Sequence, residues 1–160
     1  MEQQPVCSPL VMRSMDSGET WTRIAGPDAA GVTLSSVAVT EGGFLAAGPG
    51  TVGEDGPHRV VIGDEAGWRL VELSGAPRFD RVATFASAYL GLSSANNALS
   101  LWASRDGEAW TQLPGLPQPA DVTAFGDVDL AAAGSRVVIV GNAELESAAD
   151  QGAFSIVGTP

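Results

Sequence analysis

One short segment occurs three times in this chain, and each copy has a tryptophan as its next-to-last residue. Ser14-Met15-Asp16-Ser17-Gly18-Glu19-Thr20-Trp21-Thr22 aligns with Ser104-Arg105-Asp106-Gly107-Glu108-Ala109-Trp110-Thr111 when one residue is deleted between Asp106 and Gly107. Gly63-Asp64-Glu65-Ala66-Gly67-Trp68-Arg69 is a degraded third copy that keeps Asp64, Gly67 and Trp68. The three tryptophans fall at intervals of 47 and 42 residues. A period of roughly 40 to 50 residues confines a chain to a repetitive architecture, in which one unit cannot bury its apolar face without its neighbours.

The stretches between the copies say what the unit is made of. Apolar runs are short, rich in Val, Ile, Phe and Trp, and broken by 20 Gly, 10 Pro and frequent Asn, Asp and Ser. No segment sustains a 3.6-residue period, so the pattern predicts many short strands joined by turns. Runs headed by Leu34, Phe44, Arg59 and Trp68 make one four-stranded unit, and those headed by Arg81, Tyr89, Leu99 and Ala109 make the next. Val122, Arg136 and Phe154 head the three strands of a last unit, and Leu10 to Ile24 forms an N-terminal hairpin. The expectation is one all-β domain over residues 1–160, with a hairpin at 8–25 and units at about 31–74, 78–114 and 120–160. Four strands per 40-residue period is the pattern of β-propeller blades, here about three per chain.

The segment Ser14 to Trp21 resembles the Asp-box, or BNR repeat, written S-x-D-x-G-x-T-W. That repeat is found in sialidases, sortilin-type receptors, some glycoside hydrolases and photosystem assembly factors. The resemblance implies structural roles for Ser14, Asp16, Gly18, Trp21, Asp64, Trp68, Ser104, Asp106, Gly107 and Trp110. Physical chemistry gives each type its task. An Asp carboxylate accepts backbone N–H groups two or three positions on and so closes a turn. Gly permits the positive φ of a tight hairpin. Ser adds a local bond, and Trp enters the next strand as an apolar anchor between sheets.

Charge narrows the partners. Nineteen acidic residues against eight basic ones, all arginine, give a formal net charge of -11. Such a surface repels phosphate backbones, which argues against nucleic acid and anionic membranes. Ser, Asn and Gly interrupt the least charged stretch, Val82 to Leu101, so it lacks the roughly twenty apolar residues of a membrane helix. Cys7 is the single cysteine, which rules out a disulfide within the chain. Met1-Glu2-Gln3-Gln4-Pro5 lacks the basic region and apolar run of a signal peptide, leaving either a cytoplasmic protein or a piece of a longer one.

Motifs that would carry chemistry fail on their context. Gly48-Pro49-Gly50-Thr51-Val52-Gly53 spells a dinucleotide fingerprint, but Glu54-Asp55-Gly56-Pro57 follows instead of a helix, so it reads as a turn. A chain without lysine cannot form a phosphate-binding P-loop. His58 is the sole histidine, which excludes metal sites needing two imidazoles, and no nucleophile elbow accompanies it for a Ser-His-Asp set. No cofactor is implied. The acidic pairs Glu54/Asp55, Asp64/Glu65, Asp127/Asp129 and Glu144/Glu146 have the chemistry for glycoside hydrolysis or Ca²⁺ binding, yet read first as solvated surface. The sialidase resemblance would imply an arginine triad and a Tyr–Glu nucleophile pair. Tyr89 is the only tyrosine, the arginines sit in no family motif, and Arg23-Ile24 is followed by Ala25 rather than Pro. No catalytic residue is carried over.

The expected function is therefore a non-enzymatic binding or scaffold module whose partner is a protein or a glycan. The alternative is a fragment of a sialidase-like glycoside hydrolase. Thirteen strands make little more than three blades, fewer than a closed ring needs. The first two strands of one chain would then complete the last blade of another, giving a homodimer with a ring of about six blades.

Overall fold

The structure is a computed structural model that describes residues 9–27, 32–48, 58–146 and 151–159. Cys7, the Gly48–Gly53 motif apart from Gly48, the Glu54/Asp55 pair and the start of the hairpin at residue 8 lie outside them. The described residues form an all-β protein of four antiparallel sheets. A single 3-10 turn, Ala95–Asn97, is the one helical element among them.

The first sheet is a hairpin of β1 (Met12–Arg13) and β2 (Thr22–Arg23). The second runs in chain order through β3 (Ser36–Thr40), β4 (Gly43–Ala47), β5 (Arg59–Gly63) and β6 (Trp68–Glu72). The third does the same with β7 (Arg81–Phe85), β8 (Ala88–Ser93), β9 (Ser100–Ser104) and β10 (Thr111–Leu113). The last holds β11 (Val122–Ala133), β12 (Arg136–Leu145) and β13 (Gln151–Gly158). The strand numbers per sheet are those the apolar runs predict. The edges differ: β3 begins at Ser36 rather than Leu34, β10 at Thr111 rather than Ala109, and β13 at Gln151 rather than Phe154.

The sheets stack face to face in chain order, and alternation along each strand feeds both faces. In β4, Phe44 and Ala46 join Val61, Trp68 and Ile24 in a core beneath the first hairpin, whereas Leu45 and Ala47 point the other way. There they meet Val60, Ala38, Phe79, Val82 and Tyr89, the core between the second and third sheets. Leu90, Leu92 and Leu101 of the third sheet face Val128, Leu130, Val137 and Ile139 of the last in a third core. Three cores separate four sheets.

The opening strands of successive sheets run against one another, β3 on β7 and β7 on β11. Side chains tie them where the backbones cannot pair. The Ser36 hydroxyl donates to the Val82 carbonyl at 3.1 Å and accepts the Val82 N–H at 3.0 Å. The Thr84 hydroxyl donates to the Val39 carbonyl at 2.6 Å, and Arg81 pairs with Asp129 at 3.4 Å.

Candidate functional site

All three repeat segments occupy the same place, the turn before the final strand of a hairpin: β1 to β2, β5 to β6 and β9 to β10. In the first, the Ser14 hydroxyl donates to Asp16 Oδ1 at 2.7 Å and accepts the Gly18 N–H at 2.7 Å. The Asp16 carboxylate accepts both the backbone N–H and the hydroxyl of Thr20, at 2.9 and 2.6 Å. In the last, the Ser104 hydroxyl donates to Asp106 at 3.0 Å and accepts the Gly107 N–H at 2.8 Å. Asp106 takes the amides of Glu108 and Ala109, both at 2.9 Å. The degraded copy keeps the same device, Asp64 accepting from Ala66 and Gly67 at 2.7 and 3.2 Å.

The extra residue of the first copy has a visible effect. Ser17 takes φ +58°, ahead of Gly18 at +93°, and the carboxylate reaches four residues on instead of two or three. Without that residue, Gly107 alone carries the left-handed turn, at φ +77°. A side chain there would also strike Ile62 and Leu45 at 2.7 and 2.8 Å, so the turn lies hard against the second core.

These bonds favour the charged carboxylate. The Thr20 hydroxyl, the Thr20 amide and the Ser14 hydroxyl lower the Asp16 pKa from 3.8 to about 2. The amides of Ala109 and Glu108 lower that of Asp106. Unfolded, both carboxyls titrate near the ordinary aspartate value of about 3.9. Their contribution to stability is therefore complete above that value and is lost as pH falls through the folded pKa, toward pH 2 for Asp16. Replacing Asp106 with Ala is expected to cost about 1 kcal/mol by removing the acceptor of two solvent-exposed turn amides. Asp16→Ala, on the exposed hairpin, should lower the urea midpoint less, and both variants should flatten the loss of stability between pH 4 and 2. Melts across that range check it, and wild-type midpoints would exclude the structural role.

The indoles complete the turns, then diverge. Trp21 and Trp110 donate Nε1–H to the carbonyls of Gly18 and Gly107, at 3.1 and 2.9 Å. Trp110 packs on Phe79 with ring centroids 4.3 Å apart. Trp68 is buried and donates to the Ile24 carbonyl at 3.3 Å, over Gly26. Trp21 is 59% exposed, and Leu10, Met12 and Met15 of the same N-terminal segment are exposed too. Trp68 and Trp110 pack in cores between sheets, whereas Trp21 is exposed, with no described sheet against it.

At the edge of the junction between the third and last sheets lies an open apolar cavity of about 120 Å³. Leu113, Pro114, Leu116 and Pro117 form one wall, Val137, Ile139 and Ile156 the other. The sequence reading missed it; the clue was the pair of prolines among leucines right after the last repeat copy.

The remaining candidates are dispersed. Tyr89 is buried in the second core, its hydroxyl 3.2 Å from Thr40 Oγ1. Arg13, Arg59, Arg69, Arg78 and Arg81 pair with Glu65, Glu72, Glu108, Asp80 and Asp129, on separate parts of the stack. His58 is exposed, and its carbonyl accepts the Leu73 N–H. Glu65 of the Asp64/Glu65 pair is engaged by Arg13, while the Asp127/Asp129 pair is split by Arg81 taking Asp129. Glu144 and Glu146 lie at the far end of β12, where the Glu146 N–H donates to Asp121. No group of three metal-ligating side chains occurs among the described residues, and no helix there is long and apolar enough to cross a membrane. Compared with protein-family models, curated proteins and solved structures, the chain matches none.

Proposed function

We propose that this chain is a non-enzymatic binding or scaffold module built from propeller-type, Asp-box blades, and that its partner is a protein. The observation that carries the reading is the distribution of apolar surface. Apolar side chains are exposed at both ends of the stack, Trp21 on the first sheet and Val140 and Val157, 44% and 65% exposed, on the last. Exposed apolar surface of this kind marks interaction sites. A glycan site needs polar groups converging beside its aromatic platform, whereas the cavity wall is Leu, Pro, Val and Ile. The polar groups that recur in the repeats are occupied within their own turns.

The hydrolase alternative asks for an accessible tyrosine nucleophile and a cluster of free arginines. A Tyr89 buried at 5% exposure, and five arginines each holding a different carboxylate, weigh against it. Incubation with fluorogenic sialoside, glucoside and galactoside substrates is expected to give no turnover. Turnover that disappears on replacing Tyr89 with Phe, or one specific carboxylate with its amide, would overturn the module reading.

A further inference from the structure

The repeat geometry assigns Trp21 a seat that its own sheet stack does not provide. Each of the other two indoles rests on the segment that follows the final strand of the preceding sheet. Trp68 rests on Ile24 to Gly26, after β2. Trp110 rests on Phe79, in the connection between β6 and β7. The matching segment runs from Leu113, the last residue of β10, to Pro117, and it walls the open apolar cavity beside β13. The first sheet therefore carries an exposed tryptophan on a fully formed turn, and the junction of the third and last sheets carries an apolar cavity beside the matching connection.

We propose that the Trp21 hairpin of one copy of this chain inserts its indole into the cavity walled by Leu113, Pro114, Leu116 and Pro117 of a second copy. This rests on the module reading above and names its partner: the protein binds itself, head to tail.

Three further observations point to the same occupant. The cavity is open to solvent and lined by Leu, Pro, Val and Ile, apolar surroundings that suit the face of an aromatic ring. The sheet beside it stops at β13, which has no further strand on its outer edge among the described residues, so an incoming hairpin meets a sheet edge there. At the opposite end, β3 lacks the neighbour that β7 and β11 have. Val37 and Val39 lie on the face shared with buried Phe44 and Ala46, yet are 61% and 64% exposed, because the two-stranded hairpin does not reach them. With the hairpin seated in the second copy, β11 of that copy is the opening strand available to cover them. The contact is heterologous, and two such contacts related by a two-fold axis close on themselves.

Sedimentation velocity and light scattering on the whole chain test this. The expected species is a dimer of the 16.3 kDa chain, favoured by added salt because each copy carries a net charge of -11. Trp21→Ala and, independently, Leu116→Asp should each weaken dimerisation about 30-fold or more, the scale of an interface hot spot. Circular dichroism identical to wild type would show that each variant folds. The Trp21 variant, remote from the cavity, keeps the test valid if Leu116→Asp disturbs the third core. Head-to-tail polymers abolished by both substitutions would uphold the contact. A wild-type monomer at about 100 μM, or an oligomer indifferent to Trp21→Ala, would overturn it. The enzymatic assays decide the module reading separately: turnover would sink that reading with the dimer intact, and a monomer without turnover would sink only the dimer.

Discussion

Phe79→Ala is expected to be the most destabilising single substitution in the chain, at about 3–5 kcal/mol. The side chain is 1% exposed, lies between the second and third sheets, and stacks on Trp110 at a centroid distance of 4.3 Å. Its other side rests on the backbone of β8. A Cβ at Gly91 would come within 2.6 Å of the ring, so glycine is what lets the ring lie flat on the strand. Neither wall can fill the hole: glycine has no side chain to extend, and the Trp110 indole is tethered through Nε1 to the Gly107 carbonyl. The residual cavity should therefore stay near the size of the lost ring, which places the cost at the upper end for such truncations. Against a typical total of about 5–15 kcal/mol, that is a large share. Urea unfolding should show a lower midpoint with an unchanged slope. A cost under about 1 kcal/mol would mean that the two sheets are not coupled through this ring.

Trp68→Ala is the second, and its effect should be local. The indole is 9% exposed beneath the first hairpin, donates to the Ile24 carbonyl, and packs on Gly26, where an added Cβ would fall 1.9 Å from the ring. The Trp68 amide also donates to the Ala25 carbonyl at 3.1 Å. The side chain thus fastens residues 24–26 to the second sheet, while β1 and β2 pair over only two residues each. An isolated two-stranded hairpin is marginal in water. Removing the indole should cost about 3–5 kcal/mol where the hairpin is included in the unfolding unit. It should also release residues 9–27 to rapid hydrogen exchange and proteolysis, while sheets two to four stay protected. Trp21→Ala, measured at a dilution where the chain is monomeric, should leave exchange and melting unchanged. The same residue type, in the same turn, gives opposite results because only one of the two lies between sheets.

That contrast marks how far the sequence could be read. Strand heads at Arg59, Trp68, Arg81, Val122 and Arg136 coincide with the observed ones, since alternation and turn residues are local signals. The apolar side chains of Leu34 and Ala109 predict strand at both positions. Leu34 instead packs on the first core before backbone pairing starts at Ser36, burial and ladder being separate properties. Asp16, Asp64 and Asp106 were legible as turn closers because their partners lie within four residues. The exposure of Trp21 was not, because it depends on the hairpin's place at the end of the stack. The cavity was not either: its walls, Leu113 to Pro117 and Ile156, are about forty residues apart in sequence and meet only through the packing of the third sheet on the last.

Every substantial contact between strands of different sheets joins sheets adjacent in chain order. The molecule is in this respect closer to a row of dominoes than to a sphere, and its stability is a sum of sheet terms and three junctions, as in repeat proteins. Loss of structure then has two starting points rather than one. The short leading hairpin and the three-stranded trailing sheet each have a single junction to hold them, whereas the middle sheets have two. Amide protection should rise from both ends toward the centre, highest at Leu45, Val60, Leu90 and Leu92, which are at most 2% exposed. Any partner that caps one end would slow opening from that side alone, and the protection map would tilt toward the capped end.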